Sequence, residues 1–280
     1  MNLEKAICQG SHILKANKIK TSRLDSEILM SEVLGKDRKY IFLNQKKKIE
    51  NHCFEHFKNL IKERSYGKPI AYLVGKKSFW NFEFKVDKNV LIPRPDTELI
   101  IEEVLKISRN KKKLQILDIG TGSGCIILSV LFEKKDFKGI GIDISKKCII
   151  LSKKNANSIG VQNRIKFLKS DVDNFNYGKY DLIISNPPYI KRSDLNDLER
   201  DVVDFEPKLA LDGGVDGLST IKKVIKKSSE LVKINGKLII EIGFGQKEKI
   251  KTILKNEGFY INKVLKDYAG KYRCIVSTKI

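Results

Sequence analysis

The tetrapeptide Asn186-Pro187-Pro188-Tyr189 closes the apolar run Leu182-Ile183-Ile184. Its residue types suit the holding of a planar, weakly nucleophilic NH2 group for attack on an electrophile. The side-chain carbonyl of Asn186 accepts one amine hydrogen. The backbone carbonyl of Pro187 takes the other, because proline fixes its own φ and has no N–H to compete. Tyr189 offers a flat face to a planar substrate group. With both hydrogens held, the nitrogen lone pair has one direction left to face. A Pro-rich turn ending a strand is the plainer reading of such a tetrapeptide. Its position downstream of a glycine loop argues against that reading.

The loop is Gly120-Thr121-Gly122-Ser123-Gly124, directly after Leu117-Asp118-Ile119. Glycines at a strand-to-helix turn let the backbone approach a ligand closely and adopt positive φ. The spacing is G-x-G-x-G, with Cys125 where a dinucleotide fingerprint calls for a small residue. No Lys stands where a phosphate-cradling loop requires one. Asp143 ends the next apolar run, about 20 residues further on, where a carboxylate accepts the ribose hydroxyls of a nucleoside. Asp171, after the run ending at Leu168, is placed to accept from an adenine amine, with Val172 beside the ring. Singly, each aspartate reads equally well as a helix cap or a turn residue. In this order at successive strand ends, the loop, the two aspartates and Asn186–Tyr189 describe one ligand site at the carboxyl edge of an open α/β sheet. An adenosyl ligand with no pyrophosphate requirement points to S-adenosylmethionine, with no metal. Its sulfonium methyl is the electrophile and the held NH2 the nucleophile, which makes the chain an amino-group methyltransferase.

The elements needed to position these residues follow from periodicity. Seven short apolar runs alternate with helical stretches: Leu114–Ile119, Gly139–Ile142, Ile165–Leu168, Leu182–Ser185, Lys237–Ile242, Tyr260–Val264 and Arg273–Ser277. They predict a doubly wound, Rossmann-like α/β sheet of seven strands, the last two paired as an antiparallel hairpin. Thr97 to Ile107 reads as a helix with its stripe at Ile100, Val104 and Ile107. Residues 1–75 read as a small helical domain. Within it, Ser22 and Asp25 suggest an N-cap with an acidic N3 residue, Leu24, Ile28 and Leu29 an apolar face, and Gly35 a stop. Residues 76–93 form a linking β-hairpin, from the alternation of Phe82, Phe84 and Val86, with turn chemistry at Asp87-Lys88-Asn89. The larger domain is 94–280.

With these motifs the chain resembles the HemK/PrmC protein-glutamine methyltransferases. The resemblance covers nearly its whole length, including Phe79-Trp80, Leu91-Ile-Pro-Arg-Pro-Asp-Thr-Glu98, the glycine loop, Asp143 and Ser185-Asn-Pro-Pro-Tyr-Ile190. It implies a class I methyltransferase sheet that methylates the amide of the glutamine in the Gly-Gly-Gln loop of class I peptide chain release factors. By similarity, Gly120 to Gly124, Asp143, Asp171, Val172 and Asn186 bind S-adenosylmethionine. Asn186 to Tyr189 hold the glutamine, and the segment from Arg94 to Glu98, with Phe79, lies near the cofactor methyl. The helical domain would dock the protein substrate.

Composition sets the outer bounds. A hydrophobic fraction of 41% in 280 residues is ample for a core. Glu4 and Lys5 precede any apolar run, so no secretory start is expected, and no run approaches the ~20 residues of a membrane span. Five scattered cysteines without a CxxC pair fit a reducing cytoplasm better than disulfides or zinc. The net charge of +21 is spread along the chain as lysine, which suits a solvated surface more than a nucleic-acid groove. Direct nucleic-acid binding is therefore not required, and a monomer away from membranes is expected. Rival readings are a glutamine methyltransferase of a ribosomal protein, a nucleic-acid adenine methyltransferase, and a catalytically silent RNA-binding module.

Overall fold

The computed structural model describes residues 1–280. Two compact units divide the chain: Met1–Lys76 together with Glu199–Phe205, and Lys77–Leu198 together with Glu206–Ile280. The sequence reading leaves the segment Glu199–Phe205 within 94–280. No helix is long and apolar enough to cross a membrane.

The first unit is built from α1 (Leu3–Ala16), α2 (Ser22–Leu34), α3 (Arg38–Leu43), α4 (Asn51–Ser65) and α5 (Ile70–Val74). Its core gathers Leu3, Ile7, Leu14, Leu29, Met30 and Phe57. Helix α2 stops at Gly35, at φ 59°, as its sequence predicts. Its start differs from the expectation. Thr21 holds the cap position without a side-chain bond, Ser22 is already helical, and Asp25 is buried. The buried face is Asp25, Ser26, Leu29 and Met30, while Leu24 is exposed. The cause is tertiary. Arg64 of α4, itself buried, donates to Asp25 Oδ2 at 2.7 Å and to the carbonyls of Gly67 and Lys68 at 3.2 and 3.1 Å. Ser26 Oγ donates to the Ile7 carbonyl at 2.8 Å. Both polar residues thus enter the core with partners, which offsets their desolvation.

A hairpin follows, β1 (Lys76–Phe79) and β2 (Phe82–Lys85). It reverses at Trp80-Asn81, where Trp80 has φ 53°, and not at Asp87. Asp87 instead organises a later turn, accepting from the Asn89 N–H at 2.8 Å. Turn chemistry was legible there, but the reversal itself uses an aromatic residue that turn propensities do not favour.

In the second unit the seven strands are β3 (Gln115–Ile119), β4 (Lys138–Asp143), β5 (Ile165–Lys169), β6 (Tyr180–Ser185), β7 (Val232–Glu241), β8 (Phe259–Lys266) and β9 (Tyr272–Lys279). Their order is β5-β4-β3-β6-β7-β9-β8. β9 runs antiparallel to both β7 and β8; the other pairs are parallel. Helices cover both faces. Along β7, Leu238 and Ile240 enter one core and Ile239 the other, the alternation of a strand buried on both sides. α6 (Glu98–Ile107), α7 (Cys125–Glu133) and α8 (Lys146–Ile159) contribute to the first core; α9 (Ser219–Leu231) and α10 (Lys247–Asn256) to the second. The chain leaves β3 toward β4 and β5, then returns to β6 on the other side of β3. That reversal opens a crevice at the carboxyl ends of β3 and β6, the place where such sheets bind ligands.

Replacing Asp25 by Ala strands the Arg64 guanidinium in a buried site. Denaturant unfolding should show a loss of about 3–5 kcal/mol. A change below ~1 kcal/mol would mean that Arg64 reaches water and that the pair does not set the buried face of α2.

Candidate active site

Strand ends bring the singled-out residues to one cavity of about 520 Å³. Gly120, Thr121, Gly122 and Ser123 line it from the end of β3, Asp143 from β4, Asp171 and Val172 from beyond β5, and Asn186, Pro187 and Pro188 from β6. Gly124, Tyr189, Phe79 and Glu98 lie outside the wall. Gly124 sits at the start of α7 with φ 82°, and a Cβ there would meet Leu128 Cδ1 at 2.8 Å. Its place in the structure is the close approach of loop and helix. Tyr189 is partly buried against the second core, and its hydroxyl donates to Glu241 Oε1 at 3.3 Å. Phe79 is buried in the first core, and Glu98 accepts from the Trp80 N–H at 2.7 Å, so neither reaches the cavity.

Loop and acid brace each other. The Asp143 carboxylate accepts from the Gly122 N–H and the Ser145 N–H, both at 2.9 Å. Gly122 presents that N–H from φ 56°, a conformation costly for other residues. Each carboxylate oxygen keeps a lone pair for a further donor. Burial raises the Asp143 carboxyl above its usual value, against the lowering pull of the two N–H bonds. Beneath the loop, Asp118 is wholly buried. Its Oδ2 accepts from Thr121 Oγ1 at 2.7 Å, and Oδ1 has no partner. Burial pushes this carboxyl up to about 7, with Asp143 adding to the rise. Acceptor-rich floor, open glycine wall and small lining groups fit an adenosyl ligand carrying hydroxyls and an ammonium group. The nearby Cys125 and Cys148 thiols are each pushed up to about 12, chiefly by burial, so they remain protonated and poor nucleophiles.

At the other end the tetrapeptide is held from several sides. Ser185 Oγ donates to the Ile119 carbonyl at 2.7 Å, joining β6 to β3 below the motif. Asn186 Nδ2 donates to Thr97 Oγ1 at 3.1 Å, and Thr97 Oγ1 donates to Glu241 Oε2 at 2.7 Å. Gln246 Nε2 donates to the Tyr189 carbonyl at 2.9 Å and to that of Gly217 at 3.1 Å. Asn186 Oδ1 and the Pro187 carbonyl receive no hydrogen bond from the protein and belong to residues that line the cavity. A pair of free acceptors in a mostly apolar wall is suited to two N–H donors of one group. Glu206, buried, pairs with Arg94 and accepts from the Ile92 N–H at 3.1 Å. It thereby ties the chain entering Pro207 to Ile92–Arg94, and both segments border the cavity.

Glu241, Gln246 and Glu206 are not singled out by sequence reasoning, and Thr97 enters there only as part of the Arg94–Glu98 segment set near the cofactor methyl. The one available signal was Glu241, a charge within the apolar run Lys237–Ile242. Burial pushes its carboxyl up to about 7, opposed by the bonds from Thr97 and Tyr189 and by Arg273, while Asp96 adds to the rise. The folded protein therefore binds this proton more tightly than the unfolded chain. The resulting stability is full below the unfolded value of 4.5 and is lost as pH rises through about 7. Relative to wild type, Glu241→Gln should gain stability on going from about pH 5 to about pH 8, by up to about 3 kcal/mol. Melting both proteins at the two pH values checks this. A difference independent of pH would show that Glu241 is ionised throughout.

Comparison with known proteins gives the same picture from outside. Residues 5–75 match the family model of the PrmC N-terminal domain, and residues 95–205 that of the methyltransferase small domain. A release factor glutamine methyltransferase of Clostridium acetobutylicum is 34% identical, covering 100% of this chain and 99% of its own. A bifunctional methyltransferase of Rickettsia conorii is 35% identical over 95% of this chain, which spans only 56% of that protein. Among solved structures, a ribosomal protein L11 methylase of Lactobacillus delbrueckii subsp. bulgaricus superposes with a TM-score of 0.51. It is 17% identical, and the match covers 72% of this chain and 90% of that one; the likeness is one of fold. End-to-end similarity at this level, with both family models in sequence order, places the chain in the release factor glutamine methyltransferase family.

Proposed function

We propose that this protein transfers the methyl group of S-adenosylmethionine to the side-chain amide nitrogen of the glutamine in the Gly-Gly-Gln motif of class I peptide chain release factors, in the cytoplasm. The observation that carries this reading is the pair of unfilled acceptors, Asn186 Oδ1 and the Pro187 carbonyl, in the same cavity as the glycine loop and Asp143. The full-length relatives named for that activity supply the substrate. Five free cysteines are compatible with the reducing compartment proposed.

When bound, S-adenosylmethionine supplies an electrophilic methyl on a sulfonium. The residues Gly120 to Ser123, Asp143, Asp171 and Val172 would hold its adenosyl part, and Gly124 would shape the loop from behind. The rest is the work of positioning. An amide lone pair is delocalised into its carbonyl and is a poor nucleophile. Asn186 Oδ1 and the Pro187 carbonyl each take one N–H, which turns the remaining lobe of the nitrogen outward and opposes rotation about the C–N axis. Pro188 holds the wall rigid, and Tyr189, outside the wall and anchored through its hydroxyl and its carbonyl, braces the segment from behind. As positive charge develops on nitrogen, both N–H groups become stronger donors, so these two acceptors bind the transition state more tightly than the ground state. Orientation of this kind lowers a barrier by ~7–11 kcal/mol at best, and fixed dipoles aimed at the developing charge add a few more. As the nitrogen–methyl bond forms, the sulfur–methyl bond would break to leave a neutral thioether, and the alkylated nitrogen, now strongly acidic, would lose one proton to water.

Incubating the protein with labelled S-adenosylmethionine and a purified class I release factor, then mapping the modified residue by mass, tests the proposal. Label on the Gly-Gly-Gln glutamine is expected. Label confined to a ribosomal protein or a nucleic acid would redirect it. Asn186→Ala should lower turnover by roughly 10²–10³ with little change in stability; a loss of stability without that rate defect would make the tetrapeptide a structural turn. For Asp143→Ala, titration calorimetry should show weaker S-adenosylmethionine binding, and an unchanged affinity would remove Asp143 from the cofactor site.

A further inference from the structure

A carboxamide has nearly the same shape whichever way it is turned, but its two ends have opposite hydrogen-bonding character. For Asn186 the turn decides everything: carbonyl toward the substrate amine makes a bond, NH2 toward it sets donor against donor. Nothing in the tetrapeptide itself makes that choice. The surrounding network does, and its donors and acceptors are assigned one at a time. Glu241 Oε2 takes the only hydroxyl proton of Thr97, at 2.7 Å. With that proton committed, Thr97 Oγ1 has only lone pairs left to offer. What approaches it at 3.1 Å must be a donor, the Nδ2 of Asn186. The Asn186 Oδ1 is then left at the opposite corner, on a residue of the cavity wall, with no protein donor. Thr97 is buried at 2% exposure and Glu241 at 2%, so water does not compete for either hydroxyl or carboxylate.

We infer that Thr97 and Glu241 are positioning residues that fix the carboxamide of Asn186 with its carbonyl facing the substrate amine. The inference rests on the proposed role of Asn186 as an acceptor for the glutamine N–H. Neither residue touches the reacting atoms. Both act through a chain of bonds that links the turn before α6, the end of β7 and the end of β6, residues 97, 241 and 186. The Tyr189 hydroxyl on Glu241 Oε1 closes the same network, so Asn186 and the Tyr189 behind it are tied to a single carboxylate. The outward carbonyl also rejects a carboxylate side chain, since two acceptors would then face each other; glutamate at the substrate position is excluded on the same ground.

The test uses the full-length enzyme and a Gly-Gly-Gln-containing release factor, in three variants. Thr97→Val keeps the shape and removes the hydroxyl; Thr97→Ser keeps the hydroxyl. Expected results are a fall in kcat of at least about tenfold for Thr97→Val, unchanged S-adenosylmethionine affinity, and recovery to within about threefold of wild type for Thr97→Ser. In an Asn186→Ala background Thr97→Val should cost nothing further, because the residue it orients is gone. Glu241→Leu, which frees the Thr97 hydroxyl to turn toward Asn186, should reproduce the kcat loss and serves as the test if Thr97→Val does not fold. Wild-type kcat in Thr97→Val or in Glu241→Leu overturns the inference, as does an equal cost of Thr97→Val with and without Asn186. If Asn186→Ala alone turns over normally, the proposed function of the clamp fails and the relay with it; if Asn186→Ala is crippled while Thr97→Val is not, only the relay fails.

Discussion

One buried carboxylate organises this site. Glu241 sits at the end of a central strand, enclosed on all sides, and accepts hydrogen bonds from Thr97 and Tyr189. A buried acid without such partners would be expensive, and even with them its carboxyl is driven up to about 7 by lost solvation. The fold tolerates this cost at the position where it fixes the direction of Asn186 in the cavity wall and of Tyr189 behind that wall. An apolar residue would pack there at least as well and would leave Asn186 free to turn either way. Asp118 repeats the pattern at the cofactor end, another buried carboxyl raised to about 7 and bonded to a threonine, Thr121. Both acids lie at or near the carboxyl ends of parallel strands of one sheet, β3 and β7, with β6 between them. The rigidity of that sheet makes their directional bonds useful.

The sheet topology explains why these groups meet at all. Strands β3 and β6 are neighbours in space but are separated in sequence by two strands and their helices. The crevice at their ends therefore receives the glycine loop from one and the Asn-Pro-Pro segment from the other. Ser185 Oγ bonding the Ile119 carbonyl pins the two strand ends together just below the site. From the far side, the turn that carries Thr97 is held by the Arg94–Glu206 pair and by Glu241.

Much of this was legible in the sequence, for a physical reason. Strands buried on both faces must be apolar throughout, so β3, β4, β6 and β7 stand out as runs, and the residues that break those runs at their carboxyl ends mark the ligand edge. Asp143 and Asn186, both in the cavity wall, stand out in that way. Glu241 was hidden because it lies inside a run whose edge residue looked to be Ile242, and its partners are 144 and 52 positions away. Thr97 reads as a helix start within the Arg94–Glu98 segment, and nothing local marks its bond to Glu241. The buried face of α2 was misjudged because Asp25 enters the core only in the company of Arg64, 39 positions on. The hairpin reversal at Trp80 violates local preference and is fixed by packing and by the bond from its N–H to Glu98. Local pattern carries the elements and the ligand edge; pairings between distant polar residues are settled only by the fold.

In the proposed reaction a carboxamide is gripped by both hydrogens at Asn186 and Pro187, beside the methyl donor. A crystal structure of the protein with S-adenosylhomocysteine and a Gly-Gly-Gln peptide measures this directly. The account predicts the glutamine nitrogen within about 3 Å of both Asn186 Oδ1 and the Pro187 carbonyl, with its open face toward the sulfur. A glutamine amide bonded elsewhere, or an Asn186 side chain turned out of the cavity, would contradict it.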